Sequence, residues 1–370
     1  MSLGSVRICT RCLLPSSKPD LSFTDSGLCS ACVNMDRRKE IDWEARDKEF
    51  RAILEAQPGP FHCIVASSGG KDSHAIALKV REMGFTPFTV TATTCSLSPL
   101  GRRNLDNLRR LGFQGAEITT DTYQRHRLNK FCLEKLGDIS WPEHVTIFTI
   151  PFHAAKWMGI KVVLYGECPQ NEYGGPPDAV WARTLDATWL HEFGGLLGLR
   201  PGDLEEFSHG TELYRYPDAA SEIMGLFLGY YYPWNGYHNA LLAQKHGFEF
   251  SKEPVETHGF HYENLDNYQT GIHDYFKYLK FGFSRAVDIC SIRIRHGQMD
   301  RIDALAHVLR WDGQYPRSYL GKPTREILEE ISPELAGILY PAQLYWDICD
   351  KFRNQSVIGA VREAYEKELA

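Results

Sequence analysis

Phe61-His62-Cys63-Ile64-Val65-Ala66-Ser67-Ser68-Gly69-Gly70-Lys71-Asp72-Ser73 decides the fold. It opens as a short apolar run, passes through two glycines and enters a stretch expected to be helical from Asp72 to Met83, where Gly84 ends it. Strand, tight turn and helix in that order bring a helix N-terminus to the end of a strand. Glycines let the backbone approach a ligand with no Cβ in the way. The amide N–H groups at the helix start, together with the helix dipole, favour an anion. Ser68 and Ser73 add hydroxyl donors, Lys71 a counter-charge, and Asp72 a helix cap or a ligand for Mg²⁺. The expected pyrophosphate cradle is therefore Ser68, Gly69, Gly70, Lys71, Asp72 and Ser73. It is not a Walker A loop, which requires glycine where Val65 stands.

Outward from this loop the alternation of strand and helix continues. Phe88–Thr94, Ala116–Thr120, Lys161–Tyr165 and Leu226–Tyr232 read as strands. Asn104–Leu111, a segment through Leu136 and Gly236–His246 read as helices. Such alternation predicts an α/β fold with a doubly wound parallel sheet covered on both faces. The expected divisions are 1–57, a cysteine-punctuated module with a linking helix over 36–57; 58–250, the sheet domain, with an insertion over about 174–216; and 251–370, a mainly helical region. Ile272–Phe281, Arg285–Arg295, Arg301–Leu309, Thr324–Ile331 and Ala342–Phe352 are its expected helices.

With 370 residues there is room for two or three domains, and the net charge of -6 argues against a bulk nucleic-acid binder. No apolar run approaches the ~20 residues of a membrane helix. No secretory leader is recognised, so a cytoplasmic location without membrane insertion is expected.

Cys9-x-x-Cys12 and Cys29-x-x-Cys32 have the spacing of a four-thiolate zinc site. Four thiolates leave no open position for water, so the zinc is expected to be structural. Redox pairs are the alternative. Six further cysteines are scattered and read as small buried hydrophobes.

In an open α/β sheet the ligand crevice lies beyond the carboxyl ends of the strands. Gly166-Glu167-Cys168-Pro169-Gln170-Asn171-Glu172-Tyr173-Gly174-Gly175 follows one strand and Tyr232-Pro233-Trp234-Asn235 another. Both should face the loop's pocket. Glu167 and Glu172, with Lys71 and Asp72, are the candidate catalytic groups. Ala92 and Thr93, at the end of a further strand, join the ATP-binding set. Tyr173, Gly174, Gly175, Trp234 and Asn235 are candidate substrate contacts. Lys277, Lys280 and Arg285 lie in the motif Gly271–Asp288, and so many cations so close together are read either as a solvated face or as contacts for an acidic substrate.

The residues Ser68–Ser73 resemble the SGGxDS loop of the PP-loop ATP pyrophosphatases, a fold of the HUP type. The loop, the cysteine quartet, Gly166–Gly175, Tyr231–Asn235 and Gly271–Asp288 together resemble the N-acetyl sugar amidotransferase family of acetamidino-sugar biosynthesis for O-antigen or flagellin glycans. Cys168 departs from the polar residue expected there. The resemblance implies ATP with Mg²⁺, a structural Zn²⁺, and a nucleotide-activated sugar whose acetamido oxygen attacks the α-phosphorus of ATP. Ammonia then replaces that oxygen and AMP leaves. No cysteine context in the chain suits a glutaminase nucleophile, and the resemblance implies separate glutaminase and cyclase-like subunits as the ammonia source. A tRNA-thiolating PP-loop enzyme is the alternative; it requires catalytic cysteines near the loop and a basic tRNA-binding surface.

Overall fold

The computed structural model describes residues 6–176, 181–193, 196–200, 203–204, 210–218, 220–337 and 343–369. Parts of the insertion expected over 174–216 (177–180, 194–195, 201–202 and 205–209), and the first residue of the helix expected at Ala342, lie outside the described residues.

Two helices precede the sheet, α1 (Ser30–Arg37) and α2 (Trp43–Glu55). The single helix expected over 36–57 is interrupted by a 3₁₀ turn and an extended Ile41, after which Asp42 accepts from the Ala45 N–H and starts α2 afresh. The alternating region then runs β1 (Cys63–Ala66), α3 (Lys71–Glu82), β2 (Pro87–Thr93), α4 (Pro99–Arg110), β3 (Gln114–Thr119), α5 (Thr122–Leu136), α6 (Trp141–Met158), β4 (Val162–Tyr165) and α7 (Pro169–Tyr173). It continues through β5 (Thr184–Leu185), α8 (Ala187–Phe193), β6 (Met224–Phe227), α9 (Leu228–Tyr231) and α10 (Gly236–Lys245). The rest is α11 (Thr270–Phe281), α12 (Arg285–Arg295), α13 (Arg301–Trp311), the short hairpin β7 (Ser318–Tyr319) and β8 (Lys322–Pro323), α14 (Thr324–Ile331), α15 (Gln343–Phe352) and α16 (Gln355–Leu369).

The main sheet has the order β3-β2-β1-β4-β6-β5. Every pairing is parallel except that of the edge strand β5 with β6. The chain winds outward from β1 to β3 and then returns to the other side of β1 for β4 and β6. The reversal opens a crevice between the carboxyl ends of β1 and β4, where open α/β sheets bind ligands. Strands β1 and β4 are buried on both faces, which is why they read as unbroken apolar runs.

Two differences from the sequence reading have local causes. Only the start of Leu226–Tyr232 is strand; from Leu228 the chain coils into α9. The Gly229 N–H donates to the Gly166 carbonyl at 2.9 Å, and a Cβ at 229 would sit 3.2 Å from the Cys168 nitrogen. The chain after β6 is thus drawn against the loop after β4 and cannot continue the ladder. Helix α6 has no counterpart in the sequence reading. It packs on β1, β2 and β4, and its apolar residues lie on more than one side, so no clean 3.6-residue stripe marks it. Pro142 sits in its first turn, where proline is tolerated, and Pro151 lies inside the helix.

The cysteine module packs on the C-terminal helices. Cys9, Cys12, Leu13, Cys29 and Cys32 share an apolar cluster with Val287, Cys290, Leu305, Val308, Val361 and Tyr365. The Leu13 N–H donates to Ser291 Oγ at 3.1 Å, and Tyr365 donates to the Leu13 carbonyl at 2.7 Å. Among the described residues, no helix is long and apolar enough to cross a membrane.

Candidate functional site

The loop between β1 and α3 is tied to itself. Ser67 Oγ accepts from the Gly69 N–H, Ser68 Oγ accepts from the Gly70 N–H, and Ser73 Oγ donates to the Gly70 carbonyl at 3.0 Å. Gly69 has φ +80°, and a Cβ there would lie 2.5 Å from Leu105 Cγ. Both the conformation and the close approach of α4 exclude a side chain. Gly70 differs: its φ is -74°, it caps α3, and an added Cβ would meet only Ser68 Oγ at 3.2 Å.

A cavity of about 180 Å³ lies over this loop, with Ser68, Gly69, Gly70, Lys71, Asp72 and Ser73 on one side. Lys71 is buried, and its Nζ lies 2.5 Å from Asp72 and 3.1 Å from Glu263. Burial alone would lower the Lys71 pKa, but the charges of Asp72 and Glu263 outweigh it and hold the ammonium well above its ordinary value. Asp72 also accepts from Asn239 Nδ2 at 2.9 Å. Glu167 enters from the end of β4, and burial together with the nearby Asp72 charge pushes its pKa up to about 7. Burial likewise raises Glu263 and Asp266. Four carboxylates thus converge near one lysine.

The far wall comes from α12 and the turn after it. Arg285, Arg293 and Gln298 line the cavity, and the Nε atoms of both arginines and Oε1 of Gln298 are buried without a hydrogen-bond partner. Arg285 Nε lies 3.4 Å from Asp274 without making a hydrogen bond, and this carboxylate keeps the guanidinium charged against the cost of burial. Carboxylates that raise one another's pKa call for a cation, and buried unpartnered N–H groups call for an anion or polar ligand. Both halves fit a polyphosphate with a divalent metal ion.

The other expected residues divide. Trp234 lines the cavity, and its ring covers Gly166, where a Cβ would come within 3.0 Å of it. Tyr173 also lines it, and burial raises its hydroxyl pKa. Glu172 reaches the cavity but pairs with Arg38, which also donates to Asn171 Oδ1 at 2.9 Å. Arg295 fixes the same turn by donating to the Glu172 carbonyl at 2.6 Å. Asn235 caps α10, accepting from the Tyr237 and His238 N–H groups, and accepts from Gln298 as well. Gly174 closes α7 at φ +74° against Leu21 and Ala31. Ala92 and Thr93 line an adjoining cavity of about 70 Å³ that shares Ser68 and Asp266 with the first.

Gly175, Lys277 and Lys280 line a separate cavity of about 550 Å³ that meets the first only at Tyr173. Lys277 pairs with the buried Asp288, and Lys280 donates to the carbonyls of Leu136 and Gly137 at 3.3 and 3.1 Å. Neither lines the cavity over Ser68–Ser73.

The four cysteines of the quartet are buried and bring their sulfurs together, with Cys9–Cys32 at 3.7 Å and Cys12–Cys29 at 3.6 Å. A tetrahedral zinc ion with ~2.3 Å bonds imposes S···S separations of roughly 3.8 Å, so the donor set fits. The Cys29 N–H donates to Cys9 Sγ at 3.2 Å, and the charge of Arg295 favours the thiolates of Cys12 and Cys32.

Glu263, Asp266, Arg38, Asn239, Arg293, Arg295 and Gln298 escaped the sequence reading. Nothing in the local sequence pattern shows that Glu263 and Asp266 border the loop. Among the described residues, no cysteine lines the cavity. The family described as LPS biosynthesis protein WbpG-like, C-terminal domain, has a model that matches residues 260–358. No curated protein matches the chain. The matched segment supplies Glu263, Asp266, Arg285, Arg293 and Gln298 to the cavity. The similarity fits a place in lipopolysaccharide sugar biosynthesis.

Proposed function

We propose that this chain is an ATP-dependent amidotransferase of the PP-loop type, forming AMP and pyrophosphate, that converts an acetamido group of a nucleotide-activated sugar to an acetamidino group. The observation that carries the reading is the cavity itself. Its floor is the Ser68–Ser73 loop at the reversal of the sheet, and much of its far wall is the segment similar to a lipopolysaccharide biosynthesis family. The N-acetyl sugar amidotransferase resemblance of the sequence supplies the substrate class.

An amide is a poor electrophile because its oxygen is a poor leaving group. The acetamido oxygen attacks the α-phosphorus of ATP and pyrophosphate leaves; ammonia then attacks the imidate carbon, and AMP departs carrying that oxygen. The N–H groups at the start of α3 and Lys71 receive the pyrophosphate. Asp72 and Glu167 are the groups that would hold Mg²⁺, which when bound supplies charge neutralisation at the phosphates. Arg285 and Arg293 line the opposite wall, where an unpartnered N–H meets developing charge without reorganisation. Ammonia comes from a separate glutaminase with a cyclase-like partner. The lack of cysteine among the described lining residues supports this chemistry over thiolation.

The test uses the full chain with ATP, Mg²⁺, ammonium ion and a diacetamido sugar nucleotide labelled with ¹⁸O in its acetamido group. Label is expected in AMP. Label retained in the sugar or released as phosphate would overturn the adenylation step, and turnover with glutamine alone would overturn the separate ammonia source.

A further inference from the structure

Among the described residues, two groups of side chains converge with the spacing of metal ligands: the cysteine quartet, and Asp138 with His144 and His273. The proposed amidotransfer makes no use of the second. Asp138 lies in the turn between α5 and α6, His144 in the first turn of α6, and His273 in the first turn of α11. Three separate elements thus deliver one donor each. Asp138 is 3% exposed. Its two oxygens face different rings, with Oδ1 2.8 Å from His273 Nδ1 and Oδ2 3.7 Å from His144 Nδ1. One donor atom from each residue lies within 4.8 Å of the others, and the rings stand edge to face at 4.9 Å.

The surroundings hold the carboxylate in place. The Ser140 N–H donates to Asp138 Oδ1 at 2.9 Å, and Lys280 fastens the preceding turn through the Leu136 and Gly137 carbonyls. All three residues border the cavity of about 550 Å³ on the far side of Tyr173 from the phosphate loop, with Phe148, Trp189 and Phe283 among its apolar walls. A structural hydrogen-bonded cluster needs only one imidazole on each carboxylate oxygen. Here all three residues also line one cavity.

We propose that Asp138, His144 and His273 form a site for one divalent transition-metal ion, distinct from the cysteine quartet and from the cation site over the phosphate loop. Two imidazole nitrogens and one carboxylate oxygen suit Zn²⁺, Fe²⁺ or Co²⁺ better than Mg²⁺ or Ca²⁺, which prefer all-oxygen shells. Three protein ligands leave at least one coordination position free, and all three residues line the cavity, an arrangement of sites that bind a further small ligand rather than of closed structural ones. The proposal stands whether or not the chain is an amidotransferase.

Co²⁺ is the probe, because thiolate ligands give it intense charge-transfer bands whereas imidazole and carboxylate ligands give only weak d–d bands. The full chain, its quartet already loaded with zinc, is expected to take up one further equivalent of Co²⁺ with d–d bands and no thiolate band. His144→Ala and His273→Ala are each expected to weaken that uptake at least tenfold, while the zinc held by the cysteines stays at the wild-type level. Where either variant loses its far-ultraviolet circular dichroism, His144→Gln, which keeps a polar side chain, reads the same ligand. A wild-type chain that takes up no second equivalent overturns the proposal. So does uptake that only the thiolates colour, or folded variants that bind Co²⁺ as the wild type does.

Discussion

Lys71 and Lys277 stand in motifs of similar appearance, and the structure treats them in opposite ways. Each is a lysine near a helix start or in a helix turn, with an aspartate close by in sequence and glycines around it. Lys71 meets Asp72 and Glu263 inside a cavity that other polar groups also face. Lys277 meets Asp288 from the next helix, a carboxylate only 2% exposed, on the other side of Tyr173. The first cluster has excess carboxylates, unpartnered donors across from it and room for a ligand. The second is an ion pair that joins α11 to α12. Motif density alone therefore does not separate a binding lysine from one that fastens two helices; the groups facing the lysine do.

The greatest contrast is expected from substitutions that divide chemistry from stability. On the proposed function, Asp72→Asn should lower AMP formation by about 10²–10³, the scale of losing one preorganised electrostatic partner, with little change in melting temperature. Lys277→Met should do the reverse. It leaves Asp288 buried without its cation, a loss of roughly 3–5 kcal/mol in denaturant unfolding, and Lys277→Met with Asp288→Leu should recover much of it. If Lys277→Met abolishes turnover in a chain that remains fully stable, the contrast between the two lysines fails.

The two glycines of the loop separate the same two roles at shorter range. Gly69→Ala must adopt a left-handed backbone and push Leu105 aside, so a stability loss of about 1–3 kcal/mol is expected. Gly70→Ala has an ordinary φ, and its Cβ meets only the rotatable Ser68 hydroxyl, at 3.2 Å. It should unfold close to wild type while its methyl group obstructs the cradle and reduces pyrophosphate release. Equal melting temperatures for the two variants would contradict the geometry.

A pH-dependent effect concerns Asp312, which accepts from the N–H and Oγ of Ser284 at the start of α12. Burial pushes its pKa up to about 7. An unfolded aspartate titrates near ~3.9, so between these values the folded chain binds the extra proton. Asp312 thus lowers stability as pH rises from about 4 to about 7, by at most ~1.4 kcal/mol per pH unit. Asp312→Asn keeps an acceptor for Ser284 and should flatten that part of the curve. An unchanged slope in pH-dependent unfolding would show that Asp312 is ionised throughout.

Several features were legible because they are local. The strand–turn–helix at 61–83, the parallel alternation, the two knuckles of the quartet and the helices Arg285–Arg295 and Thr324–Ile331 all follow from neighbours within a turn or two. Helix α6 was hidden because burial on several sides erases the amphipathic stripe, and α9 because its backbone is claimed by Gly166 across the sheet.

Backbone sterics and short-range spacing are enough to place a glycine-rich turn at the end of β1 with a helix N-terminus behind it, and to group four cysteines into two paired knuckles. Both features can be read from the residue order with no knowledge of the rest of the chain. Long-range packing was needed to bring Glu263, Asp266, Arg285 and Arg293, about 190 to 220 residues further on, over that turn, and to keep Lys277 and Lys280 away from it. The meeting of Asp138, His144 and His273 has the same origin. These outcomes depend on which faces of α11 and α12 pack inward. That choice is made by the apolar contacts of the whole C-terminal region, and a charged side chain goes wherever the helix beneath it is turned.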